Sequence, residues 1–120
     1  MEKEITKTDV MTVLIVEPLK APCVKTIPDG LESLQKIVGG SIEAVYPFED
    51  PVGIICNEEG KLLNLPLNRA LFDKNGRIYD IIAGTFLIVG LGEEDFISLS
   101  PEMVQKYAVR FHALELYPRF

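Results

Sequence analysis

Apolar residues in this chain come in short runs cut by proline, glycine and acidic turns. The first run, Met11 to Val16, is unbroken and rich in branched side chains, which predicts a strand covered on both faces. Pro18 stops it, because proline has no N–H for a strand ladder. Cys23 to Ile27 alternates apolar and polar and predicts an antiparallel partner. Leu31, Leu34, Ile37 and Val38 recur at helical spacing. Asp29 and Glu32 are set as a capping pair before them, and Gly39-Gly40 supplies a stop. Ile42 to Tyr46 and Val52 to Cys56 predict two more strands. Asn57 to Gly60 is read as a hairpin turn into Lys61 to Leu63, with Asn and Gly supplying positive φ.

Farther along, Leu65 to Phe72, with Pro66 near its start, predicts a short helix. After the turn Asp73 to Gly76, Ile78 to Val89 predicts one long strand with a bulge or close approach at Gly84. Ser100-Pro101-Glu102 opens a final helix whose buried stripe is Val104, Tyr107, Ala108 and Phe111. The pattern therefore predicts a single α+β domain over residues 10–120, with residues 1–9 as a flexible N-terminal segment. Its sheet is mostly antiparallel, of about five or six strands, with two longer helices and one short helix in the order β-β-α-β-β-β-α-β-α.

Composition changes this picture little. With 120 residues and 48% hydrophobic content the chain can build a core without metal or disulfide. The net charge of −6 disfavours duplex nucleic acid and anionic membrane as partners, since phosphate binding needs clustered Lys and Arg. No stretch is apolar for long enough to span a bilayer, and Met1-Glu2-Lys3-Glu4 has no apolar stretch behind it, so a cytoplasmic protein without a secretory leader is expected. Cys23 and Cys56 sit in apolar stretches and are expected to be reduced and buried.

Recognisable chemistry is sparse. His112 is the only histidine, no metal-ligand spacing occurs, and Gly90-Leu91-Gly92 runs into three carboxylates that repel a phosphate. Neither a catalytic residue nor a cofactor is predicted. Glu43 and Asp80 are carboxylates whose spacing does not tell whether they meet. The densest polar cluster runs from Asn57 to Lys61 and on to Asn68 and Arg69. There the guanidinium and the amide of a helix start would suit an anion. The same two side chains would equally tie the short helix to its neighbouring loops.

Three strings carry a resemblance: Val13-Leu14-Ile15-Val16-Glu17-Pro18, then Leu34-Gln35-Lys36-Ile37-Val38-Gly39-Gly40 with Ile42-Glu43, then Cys56 to Lys61 with Leu65-Pro66-Leu67-Asn68-Arg69. Together they resemble an uncharacterised family of small domains of unknown function carried by phages, prophages and conjugative elements, mostly in Firmicutes. Asp80 to Phe86 and Asp95 to Leu99 continue it. The resemblance implies a mobile-element setting and brings no catalytic residue. Glu43, Asn68 and Arg69 are the positions in it without an evident structural reason.

The expected function is a non-catalytic binding or interaction module of a phage or mobile element. Its partner is either a small anionic, nucleotide-like ligand or a host protein. Arg69, Asn68, Asn57 and Glu43 are the candidate ligand-binding residues. An acidic nucleic-acid mimic that inhibits a host protein, or a small enzyme using carboxylates, are the alternatives.

Overall fold

The computed structural model describes residues 9–117. The elements in chain order are β1 (Val10–Val16), β2 (Cys23–Pro28), α1 (Leu31–Val38), β3 (Ile42–Val45), β4 (Val52–Asn57), β5 (Leu67–Phe72), β6 (Ile78–Ala83), β7 (Phe86–Leu91), β8 (Phe96–Ile97) and α2 (Pro101–Arg110). Of the N-terminal segment expected to be flexible, residues 1–8 lie outside the described range, as do residues 118–120 at the other end.

The main sheet has the order β2-β1-β7-β4-β3, with β8 attached to β7, and every pairing is antiparallel. At its centre Ile88 lies between Leu14 of β1 and Ile54 of β4. Strand period two divides the core. Met11, Val13, Ile15, Ile55, Leu87 and Val89 pack beneath α1 through Leu34 and Val38. Leu14, Val16, Ile54, Phe86 and Ile88 face the other way, against Tyr107 of α2, Phe111 just beyond it, and Leu71 and Ile82 of the separate β5–β6 sheet. The uninterrupted apolar runs of β1, β4 and β7 are thus explained: each has a cover on both faces.

Both helices end as their sequences direct, with one exception. Gly39 adopts φ 82°, and its N–H and that of Gly40 both reach the Gln35 carbonyl. The Ser100 hydroxyl accepts from the Met103 N–H at 3.3 Å, and Pro101 occupies the first helical position. Asp29, expected as the α1 cap, does not cap it. Gly30 holds that place without a side-chain bond, and Leu31 points to solvent instead of the core.

Three expectations are corrected between residues 57 and 91. Leu65 to Phe72 is not a short helix; its second part is β5, so the described residues hold two helices. Lys61 to Leu63 is a tight turn rather than a strand, and positive φ falls on Asn64, not on Asn57 or Gly60. Gly60 is needed for another reason: a Cβ there would stand 2.7 Å from the Ala83 carbonyl oxygen. The expected strand Ile78 to Val89 is two, because Gly84 at φ 87° turns the chain out of the hairpin sheet and into the main one. No helix among the described residues is long and apolar enough to cross a membrane.

Candidate functional site

The four candidate residues form two separate groups. Asn68 and Arg69 are neighbours on β5, and both are fully buried. The ladder with β6 shifts register between Leu67 and Arg69, so the alternation of side chains is broken there and the two side chains meet. The Asn68 amide donates to the Val16 and Gly84 carbonyls, each at 2.9 Å. Its oxygen accepts from Arg69 Nη1 at 2.8 Å. Arg69 Nε and Nη2 donate to the Phe111 carbonyl at 3.1 and 2.9 Å, and Nη2 also reaches the Lys20 carbonyl at 2.8 Å. One guanidinium thus gathers the loop after β1 and the end of α2, while its amide neighbour holds the end of β1 and the Gly84 break. Burial pulls the Arg69 pKa down, opposed by the nearby Glu115 carboxylate. Four hydrogen bonds to three internal acceptors take up most of the guanidinium's donors, so an incoming anion would have to compete with them, and no helix start lies there.

Glu43 and Asn57 line a small cleft of about 150 Å³ between β3–β4 and β6. Asn57 is committed internally: Nδ2 donates to the Val38 carbonyl at 3.0 Å and Oδ1 accepts from the Glu59 N–H at 2.8 Å. Glu43 lies opposite Cys56 across the ladder, and Asp80, which pairs with Lys61, lines the same cleft. The two carboxylates that sequence spacing left unplaced therefore share one site. Between them the Cys56 thiol is pushed up to about 11, first by burial and then by the charges of Glu43 and Asp80. It is a protonated thiol near neutrality and no nucleophile. Among the described residues no group of three His, Cys, Asp or Glu side chains is placed to hold a metal ion.

The expectation that both thiols are buried is corrected for Cys23, which is exposed on edge strand β2. A thiol reagent at neutral pH is expected to modify Cys23 in the native protein and Cys56 only in denaturant; equal native rates would contradict this placement. Because the folded state raises the Cys56 pKa, its contribution to stability is whole below pH 9 and fades as pH climbs toward 11.

A third region escaped the sequence reading. The β3–β4 connection, the β5–β6 hairpin and α2 enclose an open concavity of about 920 Å³. Phe72 and Tyr79 stand on the hairpin with much of their rings exposed. Phe48 forms the floor, 4.7 Å from the Tyr107 ring and 4.8 Å beneath the Arg110 guanidinium. Asp50 Oδ2 accepts from Lys106 Nζ at 2.5 Å and from the Tyr107 hydroxyl at 2.7 Å. These bonds, Lys106 first, hold the Asp50 carboxyl below its ordinary range, while burial and the Asp50 bond raise the Tyr107 pKa. The sequence offers one signal, a pair of aromatics on either side of the turn Asp73 to Gly76, but there Phe72 closes the expected short helix and Tyr79 falls within the expected long strand.

The lowered Asp50 pKa stabilises the fold above the ordinary carboxylate range, and that contribution is lost as pH falls through the folded value. Tyr107→Phe removes one of the two donors, so acid unfolding should begin at a higher pH than in wild type. Superimposable acid limbs in a circular-dichroism titration would show that the bond carries no weight.

A family model matches residues 11–112, that of a domain of unknown function, DUF3846. No match is found among curated proteins or among solved structures.

Proposed function

Since the chain belongs to the DUF3846 family, whose description names no activity, we propose its role from geometry: a non-catalytic module that binds another protein through the concavity between the β5–β6 hairpin and α2. One observation carries this reading. Exposed aromatics, Phe72 and Tyr79, stand beside an Arg110 guanidinium stacked on Phe48, in a hollow that also holds Lys74, Lys106 and the carboxylates Glu49, Asp50 and Asp73. Aromatic and arginine side chains within a rim of mixed charge are the composition of protein–protein hot spots. A nucleotide-like ligand fits less well, because Asp50 already takes Lys106 and three carboxylates surround the remaining cations. The buried polar groups support the same choice: Arg69, Asn68 and Asn57 all spend their hydrogen bonds inside the fold. A cytoplasmic role for a phage or mobile element against its host agrees with the resemblance carried by the sequence.

The test is the double variant Tyr79→Ala, Arg110→Ala, first shown to melt as wild type does. Both proteins are recovered under native conditions from their own host and weighed by native mass spectrometry. A partner retained by wild type and lost by the variant supports the reading. Retention of a small molecule, or the same partner on both proteins, overturns it.

A further inference from the structure

The chain beyond α2 crosses the free edge of β5. As one of two strands in its sheet, β5 has a single ladder partner, β6. The Ala70 N–H is not donated to a strand but to the Glu115 carboxylate, Oε1 accepting at 2.9 Å. Tyr117 donates its hydroxyl to the same carboxylate oxygen, and the Glu115 charge lies near enough to Arg69 to bear on the guanidinium. Burial and that bond raise the Tyr117 pKa to about 12. A side-chain oxygen thus stands where a neighbouring strand would place a carbonyl.

The apolar part of this strap fits far less well. Beside it runs a groove of about 480 Å³ lined by Leu19, Leu65, Pro66 and Leu67, together with Leu116 and Tyr117 of the strap itself. Leu116 remains 82% exposed and Leu19 54%. Leu19 also has φ 63°, a left-handed backbone that a leucine enters only at a cost. Inside this molecule the strained leucine gains little burial in return. Polar contacts at Glu115 and Tyr117 hold the strap, and leucines on both sides of the groove are left uncovered.

We propose that this edge is a docking site for an extended segment of a partner protein that carries a carboxylate between apolar residues, and that residues 112–117 are its resident, displaceable occupant. The chemistry of the incoming segment is read from the strap: an acidic side chain for the Ala70 N–H above Arg69, flanked by side chains that cover Leu19 and Leu67. In this mode affinity comes from the carboxylate on the edge N–H and from burial of the flanking apolar side chains. The site shares no lining residue with the concavity, so either reading stands or falls without the other.

The probe is a fluorescein-labelled peptide copying residues 112–117, titrated into the full-length chain. In wild type the tethered strap competes with it. In Glu115→Ala the strap is loosened, so the peptide should bind at least tenfold more tightly, and its addition should slow hydrogen exchange of the Ala70 amide. A peptide carrying Gln in place of Glu should lose that gain. Tyr117→Phe, a milder variant that removes only the hydroxyl contact, should fall between wild type and Glu115→Ala and decides the matter if the latter does not fold. Equal binding to all three chains, no binding to either variant, undiminished binding of the Gln peptide, or a dimer formed by exchanged straps in native mass spectrometry would each overturn the proposal.

Discussion

Arg69→Ala is expected to lower the stability of the folded chain by about 3–5 kcal/mol, the range seen when one member of a buried charged network is removed. The side chain is fully buried, and its fork serves three acceptors, the carbonyls of Phe111 and Lys20 and the oxygen of Asn68. Truncation leaves all three without their donor in a low-dielectric interior, and it opens a cavity the size of a long side chain. In a domain of this length such a loss lowers the melting temperature by about 10–20 °C. Arg69→Lys is expected to recover no more than about half of it, because a single ammonium cannot reach acceptors on two sides of a planar fork. Thermal melts of the two variants beside wild type decide the matter. A melting temperature within about 2 °C of wild type for Arg69→Ala would show that the carbonyls it leaves find water instead.

Phe86→Ala should cost a similar amount, about 3–5 kcal/mol. Phe86 is fully buried at the start of β7, paired with Val16 across the ladder, and its ring meets the edge of Phe111 at 5.4 Å. The cavity would open where the main sheet, the hairpin and the end of α2 come together. Phe111 also gives its carbonyl to Arg69, so the two sites share a residue. Their effects should not add. A double-mutant cycle by urea unfolding is expected to return a coupling of about 0.5–3 kcal/mol between positions 69 and 86. Strict additivity would mean that Phe111 transmits nothing from one to the other.

Elements whose reasons are local were legible in the sequence. The Leu34 and Val38 stripe, the Gly39 stop and the Ser100-Pro101 start each depend on neighbours within a turn, and the structure keeps them. Elements whose reasons are distant were not. Leu65 to Phe72 has a proline suited to a helix start and enough leucine for an apolar face. It becomes a strand because Asn68 and Arg69 bond to carbonyls from β1, Gly84, the loop at Lys20 and the end of α2. Main-chain carbonyls leave no mark on a sequence, so an arginine bound for the interior reads like one bound for solvent. The run from Ile78 to Val89 stays largely apolar on both sides of Gly84, and only the backbone angle there reveals two strands. Cys23 was misread for a related reason: apolar neighbours mark a strand, whereas exposure depends on β2 being the edge of the sheet.

The candidate site divides in the same way. Asn57 was read with Asn68 and Arg69 and lies instead in one cleft with Glu43. Arg69 and Asn68 were expected on a helix start, and they stand inside the junction of strands and helix. The concavity lined by Phe72, Tyr79 and Arg110 has contributors from three parts of the chain. No spacing rule joins them, and two exposed aromatics beside a turn were the most that a linear reading could catch.

The position of β7 bears on how the chain is made. It is the seventh strand in sequence, yet it lies between β1 and β4 and bonds to both. A nascent chain emerging from the ribosome can zip the β1–β2 and β3–β4 hairpins early, because their partners are near in sequence. It has nothing with which to join them until Phe86–Leu91 emerges. Until then each hairpin shows a bare inner edge, β1 on one and β4 on the other, where the most apolar runs of the chain lie. Long-range closure of this kind slows folding and lengthens the time during which such edges are open to other chains. In this chain the last third of the sequence completes the sheet that the first half leaves open.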